Sequence, residues 1–339
     1  MPVSRALESP TFNFETVIQA LEESVKRNLT DGLLLSGGLD TAILAYLSSK
    51  WVKPGCVTVA LHGAPAPDID YAKLVASRLE LKHYIHYFGD EELDEAIRAT
   101  IRVMKSFDPM EIRNSAAIYV ALKIGRDQGM STIMTGDGCD ELFGGYSFLF
   151  GLTREQLDTA LKKLWANMRF SSIYLAKELG VEAKLPYLDP EFKAFATDLD
   201  VGLKVKSDRG QVWGKWILRK AFENIIPQEL VWRLKAPIEV GTGTTILPSL
   251  FDARISDVEF SEKKMRYLNE DRVVIRSKEH LFYYEIYRDM IGIPYLRATD
   301  EGGCPDCGSN VEKGASFCRT CGAYPIQSII VRRGRCQNY

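Results

Sequence analysis

Histidine is scarce in this chain. His62, His83, His86 and His280 are the only four in 339 residues. His83 and His86 stand three apart, a poor spacing for one strand face, so we expect them to be structural. His62 follows an apolar run and is a candidate site residue. No apolar run approaches the ~20 residues that a membrane-spanning helix needs. Residues 1–10 hold no long apolar stretch of the kind a secretory leader carries. Charge of one sign is not in excess: 43 basic and 45 acidic residues leave a net charge of −2, so no general attraction to nucleic acid follows. Long repeats and low-complexity tracts are absent. The expectation from these absences is a cytoplasmic protein. The apolar share, 46%, suffices for a buried core and excludes general disorder. The length suggests one large domain with something small attached.

A disulfide framework is also missing. The seven cysteines are an odd number, and four of them lie within 304–321. Cys304-Pro-Asp-Cys307-Gly and Cys318-Arg-Thr-Cys321-Gly have two residues inside each pair and ten between the pairs. Each Cys-x-x-Cys-Gly can turn so that two thiolates meet at one point. Two such turns supply the four-sulfur set that Zn²⁺ favours, in a reducing compartment. A rubredoxin-like iron site uses similar spacing and is the alternative. Few apolar residues surround this unit, so the metal would provide much of its folding energy. A closed four-sulfur sphere has no open position for catalysis. The unit could bind a partner, dock on the main domain or touch RNA. Arg332, Arg333 and Arg335 add a modest basic patch behind it.

Along the chain, apolar periodicity predicts a helix over 11–26, with Val17, Ile18, Leu21 and Val25 on one face. A short strand follows at 33–35, then a glycine turn and a helix over 41–50. Further strands are expected at 56–61, 82–88 and 131–134, and further helices over 70–81, around Leu93, Ile97, Ile101 and Met104, and over 115–125. Strands alternating with helices imply a parallel sheet covered on both faces. Thr153-Arg154-Glu155-Gln156 fits a capping box, and helical patterns dominate from there to about Ile291. The fold class is therefore α/β: a parallel twisted sheet flanked by helices, a helical C-terminal half and a small zinc ribbon. The polar stretch 296–303 reads as a linker between a main domain at 1–295 and a ribbon at 304–325, with a basic tail at 326–339.

Two of the strands end in loops with chemical character. Ser36-Gly37-Gly38-Leu39-Asp40 lies between strand and helix. Its glycines let backbone N–H groups approach an anion, the helix start favours negative charge, and Ser36 adds a hydroxyl. The loop lacks the Gly-Lys-Ser/Thr ending of a Walker loop and the third glycine of the dinucleotide fingerprint. Asp40 and a phosphate would repel each other, which implies a bridging cation, most simply Mg²⁺. The second loop reads Thr135-Gly136-Asp137-Gly138-Cys139-Asp140-Glu141-Leu142-Phe143-Gly144-Gly145-Tyr146. Its three acidic groups are too close to be left uncompensated in a cleft. Cys139, among acids, would be a poor nucleophile.

The first loop matches the PP-loop signature of ATP pyrophosphatases, Ser-Gly-Gly-x-Asp-Ser, with Thr41 in the last place. The second resembles the Ser-Gly-Glu-Gly-x-Asp-Glu-Leu-Phe-Gly-Gly-Tyr motif of the asparagine synthetase family. Gly180-Val-Glu-Ala-Lys-Leu-Pro-Tyr-Leu-Asp189 is similar to that family's Gly-x-Glu-x-Arg-x-Pro-Phe-Leu-Asp, and Lys215-Trp-Ile-Leu-Arg219 to its Lys-x-x-Leu-Arg. Arg233-Leu234-Lys235 resembles the stretch with its pyrophosphate-binding lysine. Order and spacing agree over about residues 11–295. The resemblance implies an ATP-dependent, AMP-forming amide ligase that adenylates a carboxylate and transfers it to ammonia or an amine. It implies that Ser36, Gly37, Gly38 and Thr41 hold the phosphates. Asp40 and Asp140 would bind Mg²⁺, and Leu34, Val59, Thr135 and Gly136 would contact adenosine. Lys235, Asp137 and Glu141 are the candidate catalytic groups. Two departures stand out. Asp137 replaces the family's Glu, and residues 167–179 lack its usual Asp-Arg-x-Ser-Met-Ala near the acceptor. Glutamine-using members begin with a Cys-initiated glutaminase domain, whereas the synthetase-like region here starts almost at Met1. Nitrogen is then expected from free ammonia, an amine substrate or a separate glutaminase. The rival reading is a PP-loop tRNA-modifying enzyme that adenylates a base and holds RNA with its zinc ribbon.

Overall fold

A computed structural model describes residues 13–295, 302–312 and 315–326. The chain opens with α1 (Phe14–Arg27), whose Asn13 side chain accepts from the Glu15 N–H and so caps the helix. Next come β1 (Gly32–Leu34), α2 (Leu39–Ser48), β2 (Gly55–Leu61), α3 (Asp68–Arg78), β3 (His83–Phe88), α4 (Asp90–Met104), α5 (Pro109–Asp127) and β4 (Thr132–Met134). This is the alternation the apolar runs announce. The short α6 (Cys139–Phe143), α7 (Arg154–Ala166) and α8 (Ser171–Glu178) lead to β5 (Glu182–Lys184). The expected capping box is present: Thr153 and Gln156 bond reciprocally at the start of α7.

The five strands are all parallel, in the order β3-β2-β1-β4-β5. Side chains on β2 alternate between two cores. Val57, Val59 and Leu61 join α4 and α5 on one face, while Cys56 joins Leu33, α1 and α2 on the other. Strand order reverses between β1 and β4. In open sheets of this kind the crevice at the carboxyl ends of such strands is where ligands bind. Both loops singled out above leave the sheet at that point.

The helical half contains α9 (Pro190–Asp198), α10 (Val201–Lys204), a hairpin of β6 (Lys206–Asp208) and β7 (Gln211–Trp213), α11 (Trp216–Phe222) and α12 (Gln228–Val231). It ends with α13 (Ile238–Thr242), α14 (Leu247–Arg254), α15 (Asp257–Glu270) and α16 (Lys278–Met290). Helices dominate this half as the sequence pattern predicts, and β5 and the hairpin are short strands set among them. The expected linker 296–303 is shorter on its described side, because Gly302–Gly303 form β8 and pair with β9 (Asn310–Val311). The rest of that stretch, and the arginines of the tail, lie outside the described residues. No helix among the described residues is long and apolar enough to cross a membrane.

Candidate active site

Ser36, Gly37 and Gly38 turn the chain from β1 into α2. Gly37 has φ +67°, and a Cβ there would overlap the backbone of Tyr71 and Ala72 on α3, so only glycine fits. The hydroxyls brace the turn: the Ser36 N–H donates to Thr41 Oγ1 at 3.2 Å, and the Gly38 N–H donates to Ser36 Oγ at 3.2 Å. No side chain caps the start of α2, which leaves an N-terminus suited to an anion.

The acidic loop continues β4, with the Thr135 N–H donating to the Lys184 carbonyl. The two loops touch. A Cβ on Gly136 would lie 3.1 Å from Thr41 Cγ2 and 3.3 Å from Asp40 Cβ. Asp137 accepts from Thr135 Oγ1 at 2.9 Å and from the Ser172 hydroxyl on α8. Burial nevertheless raises its carboxyl pKa above the ordinary carboxylate value, with the nearby charges of Asp140 and Asp40 adding to the rise. Burial also raises Glu141, which accepts from the Tyr146 hydroxyl.

At the centre is a lysine that received no role above. Lys215 Nζ lies 2.6 Å from Asp40 Oδ2 and 2.7 Å from Asp140 Oδ1. Lys235 Nζ adds a contact to the same Asp140 oxygen at 3.0 Å and sits over the Tyr146 ring, 4.0 Å from its centroid. The cation between the paired carboxylates is thus supplied by the chain itself. Burial opposes charge on Asp140, but the two ammonium groups outweigh it and hold its pKa below the usual range. The carboxylates in turn raise Lys215 above the ordinary lysine value against the cost of its burial. Gly145 is needed here: a Cβ would overlap Asp140 Oδ1 and come within 2.5 Å of Lys215 Cε.

Distant segments hold these groups in place. The Tyr187 hydroxyl donates to the Asp40 carbonyl at 3.0 Å. The guanidinium of Arg219, buried on α11, donates to the carbonyls of Gly214, Val231 and Arg233 and so ties down the strand of chain that carries Lys235. Leu34 is the last residue of β1, and Val59 lies two residues before the end of β2. His83 and His86 have the partners expected of structural residues. His83 bonds Thr58 Oγ1 at 2.7 Å and His86 meets Glu92 at 2.8 Å. Cys139 is buried and its thiol is pushed well up by that burial, so it is no nucleophile.

The ribbon cysteines converge. Their four sulfurs lie within 4.8 Å of one another, with Cys304–Cys321 and Cys307–Cys318 each at 3.7 Å. An ion about 2.3 Å from four tetrahedral sulfurs spaces them roughly 3.8 Å apart, so the set fits one such ion. The ribbon is docked on the main body. The Phe107 N–H donates to the Thr320 carbonyl, and the Val274 N–H to the Asp306 carbonyl, both at 2.7 Å.

Fold and loops together define a PP-loop α/β domain, with both loops at the sheet's switch point. Comparison with known families narrows this. The family model "Asparagine synthase" matches residues 16–179 and 174–290, and the chain belongs to that family. Asparagine synthetase B [glutamine-hydrolyzing] of Escherichia coli is 30% identical over 318 residues, covering 84% of this chain and 55% of its own length. Asparagine synthetase [glutamine-hydrolyzing] 1 of Lotus japonicus is 30% identical over 329 residues, covering 88% and 55%. The chain thus spans about half the length of these curated relatives. Among solved structures, an NH3-dependent NAD synthetase from Campylobacter jejuni aligns at 16% identity with a TM-score of 0.30, covering 64% of this chain and 98% of that one.

Proposed function

We propose that this protein is an AMP-forming amide ligase. It joins a small-molecule carboxylate to ATP, releases pyrophosphate, and passes the acyl group to ammonia or an amine, from solution or from a separate glutaminase subunit. The observation that carries this reading is the meeting of the two strand-end loops around Lys215, Asp40 and Asp140. Family membership supports the use of ATP.

In the first step the substrate carboxylate oxygen attacks the α-phosphorus and the bond to the β-phosphate breaks. Ser36, Gly37, Gly38 and Thr41, with the open start of α2, hold the phosphates. Leu34, Val59, Thr135 and Gly136 flank the adenosine. Lys215 already bridges Asp40 and Asp140, so these carboxylates would hold Mg²⁺ beside that ammonium, and its charge would offset that of the triphosphate. Lys215 and Lys235 would face the negative charge that grows on the departing pyrophosphate, and a preorganised cation there lowers the barrier. In the second step the nitrogen attacks the acyl carbon, AMP leaves, and one proton must go. Asp137, whose pKa burial raises, would take it. Glu141 holds Tyr146, which supports Lys235. The four cysteines would hold Zn²⁺ for a structural purpose, and a cytoplasmic setting completes the reading. The RNA alternative fares worse, because the ribbon's turns face the main body. The test is product analysis with ATP, ammonium and a panel of carboxylic acids. AMP and pyrophosphate are expected in equal amounts, and cleavage to ADP alone would overturn the proposal.

A further inference from the structure

Lysine is almost never fully buried without an acidic partner, because its charge must leave water. Lys204, the last residue of α10, breaks this rule, being 0% exposed. Among the described residues its ammonium pairs with no carboxylate. It donates to the Ala196 carbonyl at 2.6 Å and lies over the Trp165 ring, 4.4 Å from the centroid. Burial pushes its pKa down to about 8, against the opposing pull of Asp158 and Asp200. Those two acids are engaged elsewhere, Asp158 with Lys162 and Asp200 with Arg154. A buried charge without a counter-ion destabilises the fold, and a methionine could fill the same space without that cost. What the charge touches is therefore the clue to its use.

From Trp165 an unbroken line of contacts leads to the active site. The Trp165 indole N–H donates to the Glu141 carbonyl at 2.9 Å. The Glu141 carboxylate accepts from the Tyr146 hydroxyl. Lys235 Nζ lies 4.0 Å from the Tyr146 ring centroid and 3.0 Å from Asp140 Oδ1. The backbone follows the same path. A Cβ on Gly144 of the acidic loop would come 2.6 Å from Cγ2 of Val205, the residue after Lys204. We propose that Lys204 is a positioning residue, whose cation fixes the plane of the Trp165 indole. The indole then holds the acidic loop so that Tyr146 sets Lys235 against the departing pyrophosphate. This role rests on the ligase reading above and deepens it. The charge is what matters. A cation is drawn to the face of an indole, whereas an apolar chain of the same length has no such directional preference.

The experiment compares the full wild-type chain with Lys204→Met, Lys204→Arg, Trp165→Phe and the double variant Lys204→Met, Trp165→Phe. A side chain that only fills space should lose stability when replaced, with activity falling in step. Positioning predicts the opposite for Lys204→Met: a melting temperature equal to or above wild type, because an unpaired buried charge is gone. Its kcat for pyrophosphate release should nevertheless fall about tenfold with the KM for ATP unchanged, the pattern of a contact made in the transition state. Lys204→Arg keeps the cation and should retain most of the activity. Trp165→Phe keeps a ring but loses the N–H, so it should lose activity as Lys204→Met does. The double variant should be no worse than the poorer single one, because both act through one line of contacts. A second readout needs no turnover. Lys235 should be acylated by an N-hydroxysuccinimide ester several-fold faster in Lys204→Met and in Trp165→Phe than in wild type, measured by peptide mass spectrometry. The exposed Lys105 should react equally in all. If no carboxylate is turned over, the ligase reading fails and the labelling alone decides this proposal. Unchanged labelling of Lys235, full pyrophosphate release by Lys204→Met, additive losses in the double variant, or a Lys204→Met chain that is less stable or does not fold would overturn it.

Discussion

Lys215 is the residue on which the site's electrostatics turn. It neutralises two partly buried carboxylates at once, and removing one partner of such a set strands the others. Lys215→Met should therefore cost about 3–5 kcal/mol of stability, read from urea unfolding, and abolish pyrophosphate release. The sign of its pH dependence follows from the shifts. The folded pKa of Asp140 is depressed, so its contribution is present above the unfolded value of about 3.9 and is lost as pH falls through the folded one. That of Lys215 is raised, so its contribution is complete below the unfolded value near 10.4 and is lost only as pH rises through the folded one. In magnesium-free buffer the wild type should lose stability at the acid end more steeply than Lys215→Met. Asp137 behaves in the opposite sense. Its folded pKa is raised, so holding it ionised at pH 7 costs stability, and the cost disappears as pH falls. Asp137→Asn should raise the melting temperature at pH 7, with the gain vanishing toward pH 4, and should cut amide formation far more than it weakens ATP binding. A variant with unchanged stability at both pH values would show that burial does not strain this carboxylate.

At the scale of elements, the site is a junction that glycine makes possible. Gly145→Ala would drive a methyl group into Asp140 and Lys215, so pyrophosphate release should fall at least a hundredfold. Gly180 has φ +72° but nothing within 4 Å of its absent Cβ. Gly180→Ala should therefore cost only about 1 kcal/mol, the price of a left-handed backbone, and leave turnover unchanged. Equal effects of the two would mean that backbone strain, not close packing, governs these loops. The same distinction explains what could be read in advance. β1, β2 and β4 are apolar runs that stop at glycine, so strands, loops and their chemistry are visible locally. β5 is three residues long with a glutamate and a lysine at its ends, and β6 and β7 are as short, so none carries a periodic pattern. The apolar pattern starts α3 two residues late and α5 six residues late, because Asp68 at the start of α3 and Pro109 at the start of α5 read as loop residues until the helix is seen. Lys215 stood inside a recognised motif, yet its partner Asp40 is 175 residues away in sequence, and no spacing rule announces a contact of that reach. Ser172 and Tyr187 were hidden for the same reason.

At the scale of the whole molecule, the ribbon is part of the main core, not a pendant module. Its four cysteines are buried in the same apolar cluster as Phe107, Tyr284 and Tyr287. Ser106 Oγ donates to the Arg319 carbonyl at 2.7 Å, Arg276 pairs with Asp306 at 3.0 Å, and Arg276 also reaches the Cys321 carbonyl. Gly322 lies against Asp108, which caps α5 by accepting from the Met110 N–H at 3.2 Å. The cysteine turns thus hold residues 106–108, those residues hold the start of α5, and that end of α5 stands at the carboxyl edge of the sheet beside the crevice. A ribbon with so little apolar matter of its own would depend on the metal proposed for its four cysteines to stay folded. Stripping the metal with a chelator, or replacing Cys318 with Ser, should then do more than loosen the C-terminus. Amide hydrogens at the start of α5 and on α16 should exchange faster, the melting temperature should drop in a single transition, and the KM for the carboxylate substrate should rise while the phosphate loop keeps its protection. Faster exchange confined to residues 302–326, with full activity retained, would show that the ribbon rides on the enzyme without bracing it.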